Sequence, residues 1–186
     1  MDYNLLMKNC GARLTRGDID LLDQTARSLK PKVLVEIGSA GGCSSVILAQ
    51  VAKDYGGHLF CIDPKPEGRW WSNIEPYSDQ ITLIQAYSPW LMLDPVMTID
   101  FLFIDGDHRT RWILVDYHYW SKFVRIGGII VFHDWNQALP GSDGEQVRRA
   151  INLILETDKD KLEIIMQAKG ANDRGSIAFR KLAGLV

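Results

Sequence analysis

Short apolar runs that stop on glycine or aspartate alternate along the chain with longer segments whose apolar residues recur every three or four positions. The runs KVLVEIG (32–38), HLFCID (58–63), ITLIQA (81–86), IDFLFID (99–105) and GGIIVFHD (127–134) predict strands. The segments CSSVILAQVAKDY (43–55), RWILVDYHYWSKFV (111–124) and EQVRRAINLILET (145–157) predict amphipathic helices, with Gly127 and Gly128 stopping the second. TRGDIDLLDQTARSL (15–29) predicts a leading helix capped by Thr15 or Asp18. LEIIMQA (162–168) and GSIAFRKL (175–182) read as a closing hairpin around KGANDR.

Alternation of strands and helices predicts an α/β fold: a mostly parallel, doubly wound sheet with helices on both faces. Uninterrupted apolar strands such as IIVF fit burial on both sides. Repeats, low-complexity tracts and linkers are absent from the sequence, so residues 1–186 read as one domain. Ligands of such sheets bind beyond the carboxyl ends of the strands. The strand-ending residues here are Glu36/Gly38, Asp63, Ala86/Tyr87, Asp105 and His133/Asp134, and acids recur at successive ends.

The first strand runs into VEIGSAGGCSS, a glycine loop that opens a helix. Such a loop turns sharply and presents backbone N–H groups to a ligand. A dinucleotide fingerprint would require glycine where Ala40 and Cys43 stand, so nicotinamide binding fits poorly. The spacing Glu36, Gly38, Gly42 places a carboxylate before the loop, which repels a pyrophosphate and can orient a cationic ligand or its amino group. Asp63 ends the second strand, where an acid can accept hydrogen bonds from both hydroxyls of an adenosine ribose.

Composition narrows the partners. The chain has 186 residues, 46% hydrophobic and 24% charged, with a formal net charge of -2. That balance gives an ordinary soluble core and disfavours general nucleic-acid or membrane-surface binding. The cysteines, Cys10, Cys43 and Cys61, form no C-x-x-C pair, so a disulfide framework is not expected and a reducing, cytoplasmic location is. No signal peptide and no membrane-length apolar run are read.

The motifs VEIGSAGGCSS, CIDPKP, DFLFIDGDH and GGIIVFHDW, in this order, resemble the class I S-adenosylmethionine-dependent methyltransferases, over about residues 15–182. The resemblance is greatest to a small O-methyltransferase-like group with IDGDH and HD strand ends. It implies a Rossmann-like seven-stranded sheet, order 3-2-1-4-5-7-6, with the last strand antiparallel. It implies that Glu36, Gly38, Ser39, Gly42 and Ser44 line the methionine end of the cofactor, S-adenosylmethionine, that Asp63 holds its ribose, that Ala86 and Tyr87 flank its adenine, and that Asp105 also belongs to the cofactor-binding set. Ala40 replaces a family glycine.

Asp105 and Asp134 end strands that should be neighbours, and two converging carboxylates repel unless one is protonated or a cation lies between them. Oxygen ligands suit Mg²⁺, and related O-methyltransferases hold it with a strand-four aspartate and a strand-five acidic pair. Asp105, His133 and Asp134 are therefore the candidate metal ligands. His133 departs from the acidic pair and favours softer ions than Mg²⁺, so a metal requirement stays open. His108 suits a general base that takes a proton from an acceptor hydroxyl, with Asp105 as its catalytic partner. Asp107 reads as a helix N-cap, His118 as a helix-face residue, His58 as structural, and Arg148 and Arg149 as a solvated face. Trp70 and Trp71 fit a lid or a core equally. Trp135 and the loop at 138–145 are placed near the acceptor.

The expected activity is O-methylation of a small hydroxylated acceptor, a sugar or phenolic metabolite, by a chain that could pair as a homodimer. The rivals are a nicotinamide-dependent oxidoreductase and a degenerate, non-catalytic binding fold. A nucleic-acid methyltransferase is disfavoured by the charge balance and by the absence of an Asn/Asp-Pro-Pro-aromatic motif.

Overall fold

The computed structural model describes residues 14–91, 98–135, 140–168 and 175–185. Their strands are β1 (Val33–Ile37), β2 (His58–Ile62), β3 (Ile81–Ile84), β4 (Ile99–Ile104), β5 (Val124–Phe132), β6 (Leu162–Gln167) and β7 (Ile177–Lys181). The helices are α1 (Arg16–Leu29), α2 (Cys43–Tyr55), α3 (Gly68–Ile74), α4 (Thr110–Trp120) and α5 (Asp143–Asp158). One seven-stranded sheet has the order β3-β2-β1-β4-β5-β7-β6. Pairings from β3 to β5 are parallel, and β7 runs antiparallel to both β5 and β6.

The strands are apolar on both faces because both faces are covered. Leu34, Phe101, Phe103, Ile129 and Val131 pack with residues of α1, α2 and α3. Val35, Ile37, Leu102, Ile104, Ile130 and Phe132 pack with α4 and α5. Burying each such side chain contributes about 1.5–3 kcal/mol before the entropy of ordering the chain. The leading helix begins as expected at Thr15, in a reciprocal capping box with Asp18.

Four local expectations differ from what the chain does. The helix expected over 111–124 ends at Trp120. Gly127 and Gly128 do not stop it; they lie inside β5, which begins at Val124 and shifts register against β4 between Ile99 and Phe101. Residues 68–74, read without secondary structure, form α3 and bury Trp70 to 1% exposure, whereas Trp71 stays exposed. Trp70 is thus a core anchor. Cys43 is disulfide-bonded, against the expectation of a chain without disulfides, and Cys61 is a free buried thiol. The KGANDR loop lies outside the described residues. Among the described residues no helix is long and apolar enough to cross a membrane.

Candidate active site

The carboxyl ends of β1, β2, β4 and β5 open onto a cavity of about 800 Å³. Gly38, at the end of β1, has φ +84, and a Cβ there would lie 2.2 Å from the Asp105 carbonyl oxygen. Only glycine lets the ends of β1 and β4 come this close. Asp63 stands on the cavity wall. Its Oδ2 accepts the Ser39 and Ala40 amides at 2.9 Å each, and its Oδ1 accepts the Lys65 amide at 2.8 Å. Asp63 thus shapes the glycine loop. A carboxylate has about four lone-pair sites, so it retains acceptor capacity toward the cavity.

Glu36 lies beneath the loop and off the cavity wall. It is fully buried, and its Oε2 accepts from the Ser39 and Ser45 hydroxyls and the Cys61 thiol. Burial raises its pKa, with these donors opposing the rise. Ser39, Gly42, Ser44 and Ala86 also stand off the wall, whereas Gly38, Asp63, Tyr87, Asp105, His108, His133 and Asp134 line it.

The ends of β4 and β5 bring the titratable groups together. His108 Nε2 lies 3.3 Å from Asp105 Oδ1 and 3.8 Å from Asp134 Oδ2, and Nδ1 lies 3.7 Å from Asp143 Oδ2. The hydrogen bond to Asp105 raises the His108 pKa to about 8, against the opposing effect of burial. His133 Nδ1 lies 3.1 Å from Asp105 Oδ1, and its Nε2 faces Asp18 Oδ2 at 3.6 Å. Burial alone would lower the His133 pKa; the surrounding aspartates, Asp105 foremost, carry it well above its ordinary value. Burial alone would raise Asp105, but the His133 charge and hydrogen bonds from both imidazoles hold it below the usual carboxylate range. Asp134 has φ 56, a left-handed conformation uncommon for aspartate and the kind of strain that concentrates at functional sites.

Asp105, His108 and Asp134 each offer a ligand atom, all within 4.8 Å of one another. His133 Nδ1 also lies 3.5 Å from Asp134 Oδ1, so both imidazoles meet the two aspartates, and Asp105, His108 and Asp134 are the set with ligand spacing. Both ring nitrogens of His133 face carboxylates of the protein, which makes it an internal counter-cation. Asp107 does not cap α4, whose N-cap is Arg109; it accepts the Arg109 amide in a local turn and pairs with the guanidinium. His118 is exposed, and His58 bonds Thr82 at 2.8 Å, as expected for residues without a role at the site. Trp135 is half-buried in the core and off the cavity wall, and residues 136–139 lie outside the described residues.

The cavity also takes residues that sequence reasoning missed: Ser88 and Trp90 after β3, and Trp112 and Asp116 on α4. For Asp116 a signal exists. It shares the spacing of Ile113, Tyr117 and Trp120, the buried face of α4.

A family model described as a methyltransferase domain matches residues 35–135, which span every strand end of the cavity. The chain belongs to this methyltransferase domain family. Solved structures of similar fold include a Bacillus cereus O-methyltransferase in complex with SAH, at TM-score 0.72 and 20% identity, covering 96% of this chain and 90% of that one. A Streptomyces achromogenes O-methyltransferase of tomaymycin synthesis, in complex with SAM, gives TM-score 0.70 and 17% identity, covering 96% and 86%. A SAH-bound methyltransferase of Podospora anserina gives 0.72 and 14%, covering 97% and 87%. At these identities the likeness is one of fold. An uncharacterized protein of Acanthamoeba polyphaga mimivirus is 31% identical over 133 residues, 65% of this methyltransferase-domain chain and 58% of that protein. The chain thus spans little more than half the length of that relative.

Proposed function

We propose that this chain moves the methyl group of S-adenosylmethionine to an oxygen of a small hydroxylated acceptor, a sugar or a phenol. The observation that carries this reading is the placement of an imidazole, His108, on the wall of the same cavity as Asp63 and the glycine loop. Asp63 accepts the ribose hydroxyls, and Gly38 lets the ligand approach the backbone. Six aspartates line the cavity (Asp63, Asp105, Asp107, Asp116, Asp134 and Asp143) against Arg109, His108 and His133. That field favours a sulfonium cation and opposes the pyrophosphate of a nicotinamide dinucleotide.

His108, in its neutral form, donates its Nε2 proton to Asp105 and takes the acceptor hydroxyl proton at Nδ1. The oxygen lone pair then forms the bond to the methyl carbon as the carbon–sulfur bond breaks, its electron pair staying on sulfur. Asp105 holds the imidazole in place and stabilises the imidazolium that results. Much of the rate comes from holding the two reactants in line.

Asp105, His108 and Asp134 also fit a divalent cation, since two carboxylates and an imidazole offer ligand atoms within 4.8 Å of one another. A cation held there would supply Lewis-acid stabilisation of the acceptor oxygen. It would engage Nε2, which faces both aspartates, and so leave the imidazole proton on Nδ1, which could then not act as base; the two arrangements are alternatives. The test uses S-adenosylmethionine with a deuterated methyl group and a panel of sugars and catechols, run with EDTA and with Mg²⁺ or Mn²⁺. Mass analysis that finds the label on oxygen supports the reading, and label found on nitrogen or carbon alone overturns it. Activity surviving EDTA assigns His108 as base, and activity lost with EDTA and restored by the cation assigns it as ligand.

A further inference from the structure

Asp116 takes no part in the chemistry proposed above, and its surroundings are unusual for a helix aspartate. It is 5% exposed, on the α4 face that also buries Ile113, Tyr117 and Trp120. Burying an ionisable group this deeply costs free energy unless partners satisfy it. The Ser88 hydroxyl donates to Oδ1. Among the described residues no hydrogen bond reaches Oδ2, and the residue lines the cavity. A second bond, from the Tyr119 hydroxyl to the Leu91 carbonyl, fastens the same 88–91 turn to α4. The carboxylate is thus anchored through one oxygen, while the other is available to a ligand. A purely structural tie between turn and helix needs only the anchored oxygen.

The cavity lining includes apolar surface suited to a flat group: Ile37, Ile62, Pro64 and Trp112. Ile37 and Asp116 Oδ2 both lie within 3.5 Å of where a Gly106 Cβ would stand. Ile62 and Pro64 flank Asp63 in the chain, so the base of a ribose held by Asp63 starts beside this apolar surface. We propose that Asp116 is the specificity-determining residue for the base: its Oδ2 accepts a hydrogen bond from the exocyclic amine of adenine, with Ser88 holding the carboxylate in register. This inference rests on the S-adenosylmethionine reading. Burial pushes the Asp116 carboxyl up to about 6, so the group is an ionised acceptor at pH 8.

The test is calorimetric titration of the full chain at pH 8 with S-adenosylhomocysteine and with S-inosylhomocysteine, in which a carbonyl oxygen replaces the amine. The wild-type protein binds the adenosyl ligand at least about tenfold more tightly, because the carbonyl would face a carboxylate. Asp116→Asn, whose amide can donate to that carbonyl, loses or reverses the preference. Ser88→Ala narrows it by freeing the carboxylate, and this variant with the wild-type ratio decides the matter if Asp116→Asn does not fold. Equal binding of the two ligands by the wild type overturns the inference, as does an unchanged preference in Asp116→Asn. Failure of both ligands to bind overturns the S-adenosylmethionine reading itself, and is distinct from binding without discrimination.

Discussion

Buried His133 pairs with Asp105, which is half-buried on the cavity wall, across adjacent strand ends, with Nδ1 of the imidazole 3.1 Å from the carboxylate. The second nitrogen of the same ring faces Asp18, the first-turn partner of Thr15 in the α1 capping box, which also accepts the Ser176 hydroxyl at 2.7 Å. The leading helix, β7 and the candidate active site therefore share one buried cation. His133→Ala removes it, strips Asp18 of this counter-charge and leaves His108 as the imidazole facing Asp105 and Asp134. Breaking a buried pair this way costs about 3–5 kcal/mol. Urea denaturation checks this, and a loss below about 1 kcal/mol contradicts it.

The same group sets a pH dependence of stability. His133 has a raised folded pKa, so its contribution is complete below the ordinary histidine value of about 6.5 and fades as pH rises through the raised folded value. Asp18 and Asp105 are held low, so their contributions are present above about 3.8 and fade as pH falls through their depressed folded values. Stability is expected to plateau between these limits and to fall on both sides. Thermal midpoints measured across pH check it, and His133→Ala flattens the alkaline fall.

His108 titrates higher than a free imidazole, at about 8, and must be neutral to accept a proton. In the metal-free arrangement kcat/KM rises with pH and levels off above about 8. His108→Gln lowers kcat by about 10²–10⁴-fold. Asp143→Asn removes one of the charges that raise His108 and shifts the rise to lower pH. A flat profile over pH 6–9 contradicts His108 as base.

Backbone geometry in the glycine loop makes two substitutions act in opposite directions. Gly38→Ala adds a methyl group at φ +84 against the Asp105 carbonyl and is expected to cost about 3 kcal/mol or more. Ala40 carries φ 42, where a side chain is strained, so Ala40→Gly is expected to stabilise by about 0.5–1 kcal/mol. Denaturant midpoints for the two variants check both signs.

Particular elements show what was legible before the structure. The strands of the parallel sheet were readable because burial on both faces writes an unbroken apolar run, as in Leu102 to Ile104. The Thr15–Asp18 capping box was readable from spacing alone. Gly127 and Gly128 misled because glycine stops helices more often than it starts strands, and here the sheet pairing of β5 overrides that preference. The strand-end acids and His108 were readable as candidates, but that His133 faces Asp18 as well as the strand-end aspartates depends on side-chain direction, which spacing does not encode. Asp116 was passed over because its partner, Ser88, is 28 residues away and meets it only through the tertiary fold.

The measurement that tests the central claim most directly is calorimetric titration of the wild-type chain and Asp63→Ala with S-adenosylhomocysteine, with NAD as the control. Micromolar binding of S-adenosylhomocysteine, no binding of NAD, and loss of the first in Asp63→Ala is the predicted result. Binding of NAD with none of S-adenosylhomocysteine, or binding of neither in EDTA and in divalent cation alike, contradicts it.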